Sequence, residues 1–246
     1  MTPTPLRIST AEGTCPAHLF RPERATAARA GVILYMDAFG PRPALDGMAA
    51  RITAAGYTVL VPDLFYRFGA YAPFDPLTAF GQEGERARLM GMLQGTSQAM
   101  TAADTGAFLA ALSEAGATGP VGTVGYCMGG ARAMTAAATY PDRIRAVASL
   151  HGGNLASDAP DSPHLRAAEM TGARVYIGCA GEDRSFPPEQ SARLAEALRT
   201  GGVDHMIENY VGCAHGWCVP DHSVFDLTGA ERHWRRIMAL FAESLA

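Results

Sequence analysis

The chain is 246 residues long, 48% hydrophobic and only 18% charged, with a net charge of -4 at pH 7. That length suits one large domain with its own core, and the composition excludes a disordered chain. The slightly acidic balance gives no general attraction to nucleic acid or to an anionic membrane, and the most apolar short segment, residues 31–36, is far too short to cross a bilayer.

Residues 1–13 carry Pro, Thr and charged side chains in place of the apolar run of a signal sequence. The cysteines (Cys15, Cys127, Cys179, Cys213 and Cys218) are odd in number and irregularly spaced. In a chain able to build its own core, that pattern reads as free thiols in a reducing cytoplasm. One of them can then stay reduced and do chemistry.

In chain order, a β-branched or apolar run is repeatedly followed by a Gly/Pro/Asp turn and an Ala-rich helical stretch. Residues 31–36 form the first core strand, and the loop after it holds Asp37, Phe39 and Gly40. A helix is expected over 43–55, with Leu45, Met48, Ala49 and Ile52 at helical spacing, closed by Gly56. Residues 57–61 read as the second strand, stopped by Pro62 and Asp63. The stretch 64–94 is less regular and is expected to cover the rim of a site. Then come a helix at 97–115, a strand at 120–125, a helix at 128–140 and strands at 144–150 and 173–179. A helix at 187–200, a last strand at 203–211 and a final helix at 229–245 complete the series.

Strands alternating with helices imply an α/β fold in one domain spanning residues 1–246, with a mostly parallel sheet covered on both faces. Ligands bind such sheets beyond the carboxyl ends of the strands. The chemistry-bearing side chains fall in those loops. Gly125-Tyr126-Cys127-Met128-Gly129 has the form G-x-S-x-G with cysteine in place of serine, between a strand and a helix. The tight turn lifts the sulfur above the sheet, with the helix N-terminus pointing partial positive charge at it. The N–H of Met128 is then available to bind an oxyanion.

Taken alone, the motif is weak, because a cysteine at a strand–helix junction is commonly a small buried hydrophobe. Two further segments give it weight. Asp183 follows the strand at 173–179, and His215, in Gly212-Cys213-Ala214-His215-Gly216, follows the last strand. The order nucleophile, acid, histidine is that of α/β-hydrolases, and all three would reach one edge of the sheet. In this reading His215 takes the thiol proton and later protonates the leaving group, while Asp183 fixes the imidazole tautomer.

With Gly125-Tyr126-Cys127-Met128-Gly129-Gly130, Asp183 and Ala214-His215-Gly216, the sequence resembles the dienelactone hydrolase family from about residue 31 to 245. The resemblance implies a single-domain α/β-hydrolase fold and hydrolysis of a small lactone or ester through a cysteinyl acyl-enzyme, with no metal or organic cofactor. It also implies that Asp37 stands where a family glutamate interacts with the resting thiol, and that the N–H of Ala38 completes the oxyanion hole. Aspartate is one methylene shorter, and the alternative is an aspartate capping the loop before a helix. Family members hold a substrate carboxylate with arginines. Arg67, Arg86 and Arg88 are in the right part of the chain, but no arginine follows His215 closely.

Tyr35, Phe39, Phe65, Tyr66, His151 and Trp217 are candidates for the pocket wall. Cys213, His215 and Cys218 lack the spacing of a zinc module, so no metal is expected. The expected partner is a small ester or lactone, with no nucleic acid or membrane, and the protein is expected as a monomer or homodimer. Two other readings stay open: a thiol redox sensor or non-catalytic small-molecule-binding protein on the same fold, and amide or carbon–carbon bond cleavage.

Overall fold

The computed structural model describes residues 2–246; Met1, the first residue of the N-terminal stretch read above, lies outside them. Eight strands form one sheet: β1 (Thr4–Thr10), β2 (Gly13–Phe20), β3 (Gly31–Tyr35), β4 (Thr58–Pro62), β5 (Val121–Tyr126), β6 (Ile144–Leu150), β7 (Arg174–Glu182) and β8 (His205–Ala214). Their order is β1-β2-β4-β3-β5-β6-β7-β8. β1, β2 and β4 pair antiparallel, and every pairing from β4 to β8 is parallel.

Strands β3, β4 and β5 are buried at every position, which a parallel sheet covered on both faces requires. The helices that cover it are α1 (Pro43–Ala54), α2 (Glu83–Gln94), α3 (Gln98–Glu114), α4 (Met128–Thr139), α5 (Pro188–Thr200) and α6 (Leu227–Ser244). α4 is buried from Met128 to Ala138. Its alanines and glycines let it sit close against β5 and β6. Ser97 caps α3 by accepting from the N–H of Met100, and Asp226 caps α6 by accepting from Gly229.

The structure departs from the sequence-based expectation in two segments. The hairpin β1–β2 lies outside the expected elements, because as an edge hairpin it leaves polar side chains on its outer face. The stretch 64–94 contains α2, whose Gly84 and Gly91 weaken the helical signal. α2 nevertheless supplies the rim expected of that stretch.

The carboxyl ends of the parallel strands bring the candidate residues to one edge. β5 ends at Tyr126 immediately before Cys127, β7 at Glu182 before Asp183, and β8 at Ala214 before His215. Glu182 pairs with Ala214 across a register shift, so Asp183 and His215 leave the sheet side by side.

Candidate active site

Cys127 sits at the turn between β5 and α4 with φ +54 and ψ -118, a backbone conformation rare for a residue with a side chain. The glycines around it are demanded by contact. A Cβ on Gly125 would stand 1.9 Å from the carbonyl oxygen of Gly129, and one on Gly129 would stand 2.3 Å from that of Tyr35. A Cβ on Gly130 would likewise stand 2.3 Å from Ser149 Oγ. The turn therefore closes only with glycine at these places, and it presents a half-buried sulfur at the N-terminus of α4.

Asp183 Oδ2 and His215 Nδ1 are 2.7 Å apart. Ser185 donates from its N–H and its hydroxyl to Asp183 Oδ1, at 2.8 and 2.6 Å. Burial works to raise the Asp183 pKa, but the hydrogen bonds from His215 and Ser185 outweigh it and hold the carboxyl below its ordinary value. For His215 burial disfavours the charged ring; the Cys127 sulfur and Asp183 overcome it and push the imidazole up to about 10.

Cys127, Asp183 and His215 all border one cavity of about 1000 Å³. Its apolar wall is Met90 and Leu93 of α2 with Met128 and Ala131 of α4, and its polar wall includes Gln94, Gln98, Asn154 and Arg184. A recess of about 490 Å³ adjoins it and shares Gln94, Gln98, Arg132 and Asn154 with it.

The expected pocket walls are not the observed ones. Tyr35, Phe39, Phe65, Tyr66, Arg67, His151 and Trp217 do not border this cavity. Tyr35 is fully buried and shares a 2.8 Å hydrogen bond with Thr105. Phe39 packs edge-on against His222 and Phe80. Tyr66 and Arg67 belong to the far edge of the sheet, where Arg67 grips both oxygens of Asp104 and pairs with Glu12, and Tyr66 bonds to Thr10 and Asp104. Arg67 is thus committed to carboxylates of the protein itself. Arg88 pairs with Glu85. Trp217 is sealed in the core behind His151 and Tyr210. Aromatic residues near strand ends went to the core because burying a large ring is favourable wherever the interior has room.

Asp37 also differs from expectation. Its carboxylate is fully buried and accepts from Arg42 at 2.6 and 2.9 Å, from the N–H of Phe39 at 3.0 Å, and shares a 3.2 Å contact with His222. Burial opposes its charge, yet the hydrogen bonds from His222 and Arg42 hold its pKa below the ordinary value. Its bonds run to these groups and not to the Cys127 sulfur. The bond to Phe39 N–H is the loop-capping role that was the alternative.

Two residues emerge that sequence reasoning passed over or placed differently. His151 Nδ1 accepts a 3.1 Å hydrogen bond from the N–H of Cys127. Arg132, on the second turn of α4, is buried and forms no ion pair among the described residues; it donates to Thr96 O, and its Nε has no partner. Desolvation lowers its pKa to about 10. No spacing rule marks either one, since each role depends on what packs against it. No cluster of metal-ligating side chains was found among the described residues.

The chain matches the dienelactone hydrolase family over residues 15–245. It is 25% identical over 252 residues to the carboxymethylenebutenolidase of Rhodococcus opacus, covering 99% of this chain and 94% of that one. A carboxymethylenebutenolidase of a Pseudomonas species is 36% identical over 124 residues, 50% of this chain and 49% of that one. A solved dienelactone hydrolase-like promiscuous phosphotriesterase from metagenomic libraries superposes with a TM-score of 0.80 at 23% identity, covering 100% of both chains. The dienelactone hydrolase of Anabaena variabilis superposes with a TM-score of 0.65 at 20% identity, again over 100% of both. At those identities the solved structures speak for the fold alone.

Proposed function

The chain belongs to the dienelactone hydrolase family, hydrolases of lactone and ester bonds, and from that premise we propose that it opens small lactones or esters through an acyl-enzyme on Cys127. The observation that carries this reading is the 2.7 Å pairing of Asp183 with His215 on the wall that also bears Cys127.

The steps follow from the groups. The thiolate of Cys127 attacks the carbonyl carbon, and the C=O electron pair moves to oxygen. The N–H groups of Met128 and Ala38 receive that oxyanion, with the N-terminus of α4 behind Met128. As the intermediate collapses, the ring or ester C–O bond breaks and the leaving oxygen takes the proton from His215. A water molecule then gives its proton to His215 and attacks the thioester, and the thiolate departs. Asp183 keeps Nδ1 protonated, so that the other ring nitrogen does the transfer.

Arg132 extends this reading to the substrate. Arg132 borders both the cavity and the recess, and a guanidinium with no carboxylate partner among the described residues is a ready anchor there for an anionic or strongly accepting group. The shared wall of Gln94, Gln98 and Asn154 adds neutral hydrogen bonds beside it. The free state of Cys15, Cys127, Cys179, Cys213 and Cys218 supports a reducing, cytoplasmic setting. No helix among the described residues is long and apolar enough to cross a membrane.

Intact-mass measurement during turnover of aryl esters and lactones tests the proposal. An acyl adduct on Cys127 is expected, and Cys127→Ala and His215→Ala should each lower kcat by about a hundredfold or more. Wild-type rates in Cys127→Ala would sink it. No hydrolysis across the panel, with fast peroxide oxidation of Cys127, would replace it with the redox-sensor reading.

A further inference from the structure

We propose that His151 is a positioning residue for this chemistry, holding the Cys127 turn through the hydrogen bond that one ring nitrogen accepts from the Cys127 N–H. The proposal rests on the reading of Cys127 as nucleophile and His215 as base.

The sheet register creates the contact. Tyr126 pairs with Leu150, so the residues that follow, Cys127 and His151, leave adjacent strands side by side. Both have positive φ, +54 and +39. Side-chain-bearing residues persist in that region only where their surroundings hold them there. The N–H of Cys127 donates to Leu150 O and to His151 Nδ1, each at 3.1 Å.

An accepting Nδ1 carries no proton, so the ring's proton is on Nε2. Nε2 is buried without a partner among the described residues, and the residue is 1% exposed. Burial, together with the nearby His215, His222 and His233, keeps His151 uncharged. Charging it would put a second donor against the Cys127 N–H. The same ring stands 4.8 Å from the His215 ring at 66° and 5.3 Å from Trp217 at 71°. One neutral imidazole therefore touches the nucleophile's backbone and the base's ring, with the buried indole behind it. His215 is left as the imidazole that titrates beside the sulfur.

Two substitutions separate this role from packing. His151→Asn puts a side-chain oxygen where Nδ1 stands, and Asn tolerates positive φ. His151→Gln carries its polar atoms one bond farther out, near Nε2. The readouts are kcat and KM on an activated aryl ester, and the pH profile of Cys127 alkylation by iodoacetamide. His151→Asn should stay within about threefold of wild type in kcat and keep the alkylation profile, while His151→Gln should lose about tenfold in kcat with KM little changed. The Gln variant should also shift the midpoint of the alkylation profile.

Gln equal to wild type, or Asn impaired as much as Gln, overturns the proposal. Should Gln fail to fold, Asn decides: loss of kcat there overturns it and retention supports it. Alkylation needs no substrate, so it judges His151 even if the wild type turns over no ester. That last result would instead defeat the hydrolase reading.

Discussion

Asp37 and Arg42 form a bidentate ion pair in the interior, with side chains 0% and 4% exposed. Arg42 gives its Nε and a second N–H to Asp221, at 2.6 and 2.9 Å. The loop after β3, which carries Ala38, is thus tied to the segment just beyond His215. The aspartate shapes the loop.

Breaking this pair should be expensive. Arg42→Met leaves Asp37 buried and less well compensated, and should destabilise the fold by about 3–5 kcal/mol. Asp37→Leu together with Arg42→Met removes both charges and should recover most of that loss. Urea unfolding of the two proteins checks this; a single variant as stable as wild type contradicts it.

The elbow glycines and the α2 glycines should respond in opposite directions. Gly125→Ala drives a methyl into the Gly129 carbonyl, and should lose stability at or above the upper end of about 1–3 kcal/mol. Gly91 has nothing within 4 Å of an added Cβ and lies inside α2. Gly91→Ala should stabilise by about 0.5–1 kcal/mol. Thermal melts of both variants decide.

Arg132 should matter for affinity more than for folding. Losing a hydrogen bond to a charged group, about 1.5–3 kcal/mol, corresponds to roughly a 10- to 150-fold rise in KM in Arg132→Met for substrates bearing a carboxylate. Neutral esters should change little, and the melting temperature should hold or rise, since an unpaired buried cation is removed. Equal effects on charged and neutral substrates would count against the anchor.

The state of His215 should depend on its neighbour. The Cys127 sulfur is the foremost cause raising the imidazole toward about 10, so Cys127→Ala should bring its pKa down. The sign for stability follows. A raised histidine stabilises the fold fully below its unfolded value, near 6.5, and that contribution is lost as pH rises through about 10. In Cys127→Ala the loss should move to lower pH. NMR titration of the ring protons reads the pKa, and unchanged values refute the coupling.

His233 should act in the opposite sense. Desolvation pushes it down to about 3 inside the core. Its neutral form stabilises the fold above about 6.5, and the contribution disappears as pH falls toward 3. His233→Phe should flatten the acid limb of a stability–pH curve, measured by urea unfolding at each pH.

Much of the fold was legible because its determinants are local. Mostly apolar runs marked β3, β4, β5 and β6, and Gly56 closed the helix before β4. Three strand ends put Cys127, Asp183 and His215 at one edge, and the pairing of Glu182 with Ala214 agrees. The hairpin β1–β2 escaped because an edge hairpin is only partly buried and its pattern is weak. α2 escaped because its apolar residues, Leu89, Met90, Met92 and Leu93, cluster at one end beside glycines.

By itself the sequence determined the glycine-flanked turn at Cys127 between a strand and a helix, and the order of the three candidate groups along the chain. Tertiary structure decided what those groups meet. Arg42 and Asp221 are separated by 179 residues, and Cys127 and His151 by 24; no pattern at fixed spacing encodes either contact. It also gave the cavity walls to α2 and α4 and buried the aromatic candidates elsewhere. Backbone strain is written locally, whereas the partner of a buried charge or ring is whichever group packing brings within reach.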